Sequence, residues 1–193
     1  MEKVSDDNKS IAKKLALAVG GNPSVTRFWD ENESNYIDLL SLQNKPIEEV
    51  TTVASLGLSD FPLYFRSKEY PARIEILGCA GSQYKFFKNV ISTAAFYVMK
   101  NHWFCAPGVI FPDILSIYYP DISMKHLYFT APFIWEDSLS VIELKTKKVA
   151  FLLGVPISEQ EKDYAVENSP HDLEAILEKE KIDIFDLHRE SVL

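Results

Sequence analysis

Glycine is scarce, with seven residues in a chain of 193. The sequence holds no G-x-G-x-x-G, no Walker A loop, no G-x-S-x-G elbow and no H-E-x-x-H. It therefore lacks the glycine turns that cradle a phosphate, the strained turn that lifts a nucleophilic serine, and the paired histidines of a zinc hydrolase. Two cysteines, Cys79 and Cys105, cannot make a disulfide framework or a four-thiolate zinc site. They fit ordinary buried thiols in a reducing compartment. Long apolar runs are missing too. An uncharged one, Val149 to Ile157, has nine residues and is interrupted by Gly154 and Pro156, whereas a membrane-spanning helix needs about 20. Lys13-Lys14 precede the apolar Leu15–Val19, but that run is short for a secretory leader, and Asp6 and Asp7 oppose its basic segment. The stretch reads as an amphipathic helix of a cytoplasmic protein.

Basic charge is in deficit. The chain has 28 acids against 20 bases, a net charge of −8. The imbalance is local: residues 156–193 hold 11 acids and 4 bases, while residues 1–155 are nearly neutral. Nucleic acid binding leaves a basic footprint, so this distribution argues against it and admits a basic partner. A solvated helical face explains the same charge run without any partner.

What the chain does have is ordinary globular material. Hydrophobic residues make up 47% and aromatics 12%, with 12 Phe, 9 Tyr and 3 Trp, enough for a large mixed core that folds without metal or cofactor. Ser5 is placed to cap a first helix whose Ile11, Leu15, Ala18 and Val19 share a face, ended by Gly20-Gly21. Val25–Trp29, Tyr36–Leu42, Val50–Leu56 and Arg73–Leu77 read as strands, the last closed by Gly78 and Gly81. The clearest helix runs from about Ser82 to Lys100, with Phe87, Val90, Ile91, Ala94 and Val98 in one stripe. Phe111–Pro120 and Leu127–Trp135 are strands and loops. Val141–Leu144 and Val149–Val155 form a hairpin whose second strand is buried on both faces. Ser158-x-x-Glu161 is a capping box, and Ser169-Pro170-x-Asp172 starts another helix. Ile182–Leu187 is expected to return as a short terminal strand. This order predicts an α+β fold with a mixed sheet and packed helices, one domain over residues 1–193.

Chemistry is sparse. His102-x-x-Cys105 has half of a zinc spacing, with Cys79 and His126 left to complete four ligands; an aromatic turn around Trp103 and Phe104 accounts for it more simply. Cys105 with His102 or His126 would be a nucleophile pair, but nothing around the cysteine marks it as activated. Glu75 lies mid-strand two residues from Arg73, which suggests an ion pair. The rings of Trp103, Phe104, Tyr118, Tyr119, Phe129, Phe133 and Trp135 either fill the core or form a contact surface.

Taken in order, several stretches resemble the suppressor-of-fused domain in its bacterial single-domain form. They are Ser55-Leu56-Gly57-Leu58-Ser59-Asp60-Phe61-Pro62, Arg73-Ile74-Glu75-Ile76, Trp103-Phe104-Cys105-Ala106-Pro107-Gly108 with Phe111-Pro112-Asp113, Met124-Lys125-His126-Leu127 through Pro132-Phe133, Val155 through Glu161, and Ile182-Asp183-Ile184-Phe185-Asp186. The resemblance covers roughly residues 25–190 and is strongest to the antitoxin or immunity branch, partnered with secreted DNase toxins. It implies a non-enzymatic role, no cofactor and a protein partner, and offers no catalytic motif to carry over. A peptide-binding regulatory scaffold and a small hydrolase are the alternatives. If the partner is a basic nuclease, the carboxylates of Glu159, Glu161, Asp163, Glu174, Glu178 and Glu180 are the expected attractors, and the loops at Trp103 and Trp135 the competing contact surface.

Overall fold

The computed structural model describes residues 4–193. In chain order the elements are α1 (Asp6–Val19), β1 (Ser24–Trp29), β2 (Tyr36–Gln43), β3 (Val50–Leu56), the two-residue strands β4 (Tyr64–Phe65) and β5 (Lys68–Glu69), β6 (Ala72–Gly81), α2 (Phe87–Asn101), β7 (Ile110–Phe111), β8 (His126–Thr130), β9 (Ile142–Glu143), β10 (Lys148–Ile157), α3 (Glu159–Glu167) and α4 (Pro170–Lys179). A single turn of 3-10 helix covers Leu58–Asp60, and a longer one covers Phe133–Leu139. This is an α+β fold around a mixed sheet.

The main sheet runs β1-β2-β3-β6-β10-β8-β7, with β9 on the same side of β10 as β8. Among the described residues only β6 and β10 are parallel, from Lys148 opposite Ala72 to Gly154 opposite Gly78. These two central strands are apolar almost throughout, as burial on both faces requires. Alternation sends Ile37, Leu39, Val53, Ile74 and Ile76 to one side, where α2 lays Val90, Ile91, Ala94 and Val98 on them. Leu40, Leu42, Leu77, Val149, Phe151 and Leu153 point to the other side, which is covered by Ile11 and Leu15 of α1 and by Leu173 and Leu177 of α4.

Three expectations about elements need correction. Gly78 does not end β6, which continues to Gly81. A Cβ there would meet Ile91 Cδ1 at 2.7 Å and Phe87 at 2.8 Å, so this glycine lets α2 lie close on the sheet. The long helix begins at Phe87 rather than Ser82, after a turn in which Phe87 N donates to Tyr84 O. Residues 182–187 are turns, not a strand. Asp183 and Asp186 accept from Phe185 N and His188 N through their own side chains, and such local bonds replace a ladder. The segment is still tied down, because Gly81 N donates to Phe185 O and Met124 N to Leu187 O.

Candidate partner-binding face

The acidic segment forms α3, α4 and the tail behind them. Ser158 accepts from Glu161 N while the Glu161 carboxylate accepts from Ser158 N, so the expected capping box is formed. That box places Glu161 in the interior at 0% exposure. Arg189 grips it with a two-pronged fork, Nη1 to Oε1 and Nη2 to Oε2, both at 2.7 Å, and Val192 N adds a bond at 3.2 Å. Glu161 therefore cannot meet a partner and is corrected from attractor to anchor: its charge holds the C-terminal tail against α3.

The other carboxylates differ in what they are free to do. Glu159 is half-buried and bound to His126 and Lys162. Asp163 is exposed, with Lys162 at 3.5 Å, and Glu180 is exposed, with Lys179 at 3.7 Å. Glu178 is exposed and has no ion pair among the described residues. Glu174, one turn before it, is half-buried and accepts from Thr130 Oγ1 at 2.5 Å.

Glu174 and Glu178 border a cleft of about 450 Å³ between α4, the turns after it and the β8–β10 part of the sheet. Tyr128, Val155 and Leu177 are its buried residues, and Ile182 and Ile184 are half-buried in it. Phe133, Glu178 and Lys181 are its exposed members. Phe133 is 54% exposed, a large cost for a core ring. Burial, and then the charge of Glu174, push the Tyr128 hydroxyl above its ordinary pKa. The interior of the cleft is thus apolar, with the Glu174 carboxylate beside it. Phe133 also borders a second depression, of about 550 Å³, shared with Tyr70, Cys105, Pro107 and Leu139, in which Asp137 is the only charged residue among the described residues.

The tryptophans named in the sequence lie apart from this cleft. Trp103 is half-buried, its ring 4.5 Å from Tyr97 and 5.0 Å from Phe111. Trp135 is 7% exposed and packs in the core on the α1 side. Phe129 is buried, and Tyr118 and Tyr119 are half-buried. The ring sequence reasoning undervalued is Phe133: its neighbours are aromatic and proline-rich, and nothing in the one-dimensional pattern marks it as the exposed one.

The remaining candidates resolve into structural roles. Cys105 and Cys79 sit in cores on opposite faces of the sheet. Burial pushes the Cys105 thiol well above its ordinary pKa, away from the thiolate a nucleophile needs. His102 is exposed and edges onto Tyr64. Asp113, His126 and Glu159 bring ligand atoms within 4.8 Å of one another and are the residues best placed to hold a cation. Both ring nitrogens of His126 are already engaged: Nδ1 accepts from Asp113 N at 2.9 Å, which leaves Nε2–H to donate to Glu159 at 3.1 Å. The triad therefore joins β8 to α3. Glu75 does not pair with Arg73, which reaches Glu69 at 2.6 Å. It is fully buried under the 57–60 turn and accepts from Ser55 Oγ, Gly57 N and Ser59 N. Burial raises its carboxyl against the pull of those bonds. Gly57 sits at φ +100°, a conformation that brings this turn over the carboxylate and that other residues adopt only with strain.

The family model for Suppressor of fused protein (SUFU) matches residues 33–190. The chain belongs to the suppressor-of-fused family. It is 41% identical to the Immunity protein YqcF of Bacillus subtilis (strain 168) over 190 residues, 98% of this chain and 99% of that one. In fold it is similar to a suppressor-of-fused homologue from Neisseria gonorrhoeae, with a TM-score of 0.70 and 17% identity over 97% of each chain. It also resembles a chain of the Sufu-Fu complex, with a TM-score of 0.69 and 14% identity over 95% of this chain and 91% of that one. In this suppressor-of-fused protein the family-like stretches mark where the chain is tied to itself. Ser55–Pro62 supplies the donors for Glu75, and Val155–Glu161 leads into the Glu161–Arg189 anchor.

Proposed function

We infer that this protein is an immunity protein that binds a toxin and blocks it inside the cell that makes both. The observation that carries the reading is the 41% identity, end to end, with a protein named as an immunity protein. The inferred toxin is a nuclease, most simply a DNase. A nuclease needs basic residues to hold phosphate, and a partner of opposite sign is steered to it at a raised association rate. Residues 156–193, with 11 acids and 4 bases, supply that sign, and Asp163, Glu174, Glu178 and Glu180 present it at the surface, with Glu159 behind them. Blocking by occupation requires no catalytic group on this chain and no cofactor, and the working place is the cytoplasm.

The test is co-expression with toxin domains encoded beside genes for this chain. Rescue of growth, and a stable complex on size exclusion with loss of DNA cleavage in vitro, is the expected result. Normal toxicity in the presence of folded protein, with no complex, overturns the reading.

A further inference from the structure

We propose that the cleft under α4 is the anchor site for the toxin: it takes one bulky apolar side chain flanked by a lysine or arginine. The proposal rests on the immunity reading and adds the chemistry of the contact. The cleft has the anatomy of an interface centre, with an apolar interior beside groups that can order a cation. Tyr128, Val155 and Leu177 form the buried lining, and Phe133, more than half exposed, stands beside it with no core role to explain its position. Glu174 is held at the cleft by Thr130, and Glu178 lies one helical turn on with no ion pair among the described residues. An incoming cation would meet a carboxylate already fixed in place, which lowers the ordering cost of the contact.

Charge selects among occupants. A purely apolar ligand leaves Glu178 unused, and an acidic one is repelled by both carboxylates. The second depression beside Phe133 offers comparable space with a single carboxylate, Asp137, as its charged member among the described residues. Lys181 works in the opposite sense at the cleft, so its removal should tighten binding of a basic ligand. A second copy of this chain is disfavoured as occupant by its net charge of −8, although Phe65 and Arg66 at the β4–β5 turn are both exposed and make the control necessary.

Two arms test the proposal. The first titrates the full chain with capped Lys-Phe-Lys, Glu-Phe-Glu and Lys-Ala-Lys peptides, following backbone amide resonances. Shifts around Tyr128, Phe133 and Ile182 with Lys-Phe-Lys alone, strengthened by Lys181→Gln, support the proposal. Equal response to Glu-Phe-Glu, or shifts elsewhere, overturns it. The second arm measures affinity for the catalytically inactivated toxin domain. Phe133→Ala and Glu178→Lys lie at exposed positions and should each weaken binding at least about tenfold. Wild-type binding left unchanged by both variants overturns the anchor site while the immunity reading stands. If wild type does not bind the toxin, the immunity reading fails and the peptide arm alone decides the cleft. Concentration-dependent dimerisation of the free protein that Phe133→Ala abolishes assigns the cleft to a second copy and overturns the proposal.

Discussion

Replacing Arg189 with Met removes the guanidinium and keeps most of the apolar stem. Its consequence follows from what Glu161 has left. The carboxylate stays at 0% exposure, and of its donors only Ser158 N at 3.0 Å and Val192 N at 3.2 Å remain. The 2.7 Å fork is gone, and with it the bond from Nη2 to Pro156 O that ties the tail to the end of β10. Removing one partner of a buried ion pair costs about 3–5 kcal/mol, because the other charge is left in a low dielectric. For a chain of this length that corresponds to a fall in Tm of about 6–20 °C. The double variant Glu161→Gln with Arg189→Met leaves no buried charge, and the new amide oxygen can still accept from Ser158 N. Its cost should be lower than the sum of the two single costs by about 2 kcal/mol or more, since the paired groups are in direct contact. Urea unfolding followed by tryptophan fluorescence and by circular dichroism gives the three free energies. Additive single costs, or a cost for Arg189→Met below about 1 kcal/mol, would refute the claim that this pair anchors the tail.

Gly78→Ala should destabilise by about 1–3 kcal/mol, because its Cβ meets Ile91 and Phe87 at under 3 Å; unchanged stability in urea would mean that α2 does not sit this close to β6. Ile91→Ala, at a fully buried position in the same contact, should cost about 2–5 kcal/mol by the same measurement. Burial first, and then the Lys162 charge, hold the His126 imidazole below its ordinary pKa, against the opposing pull of Glu159 and Asp113. The unfolded chain therefore takes up a proton near pH ~6.5 that the folded protein refuses, and stability falls as the pH drops below that value. His126→Gln should flatten this part of the urea-stability profile between pH 7 and 5, and an unchanged slope would show that His126 is not its source. Conversion of Glu174, Glu178 and Glu180 to Gln should slow toxin association mainly at low salt, with a smaller effect on dissociation, in stopped-flow mixing; equal rates at low salt with folding intact would return these carboxylates to simple solvation.

The elements legible in the sequence are those whose signal is local. The Ser5 and Ser158 caps, the α2 stripe and the apolar run of β10 each declare themselves within a dozen residues, and each is present. The failures lie where a residue's partner is distant in sequence. Arg73 looked like the partner of Glu75 because it is near in the chain, yet the donors come from residues 55–59 across the sheet. Gly78 resembles a strand terminator until Ile91, thirteen positions on, is folded back over it. Residues 182–187 have strand-like apolar content, and only the side-chain bonds of Asp183 and Asp186 show why they turn instead. The cleft was invisible for the same reason: its members come from β8, β10, α4, the 3-10 helix at Phe133 and the turns after α4.

Glu161 and Glu178 show how one acidic segment divides its work. Both are glutamates in a helical stretch of strong negative balance, and composition treats them alike. Position in the helix separates them. Glu161 is the third residue of α3, where its carboxylate can return to the Ser158 N–H, and that geometry draws it inward to Arg189. Glu178 lies near the end of α4, where a carboxylate faces the negative end of the helix dipole and has no backbone donor to cap. It costs the helix a little, and it stays exposed. Because the buried pair removes one charge of each sign, the net −7 of residues 156–193 is carried undiminished by the groups that solvent, and an approaching partner, can reach. Under the proposed function, structure and steering are drawn from the same run of acids without competing for the same carboxylate. A substitution at Glu161 should therefore be read out in stability, and one at Glu178 in association.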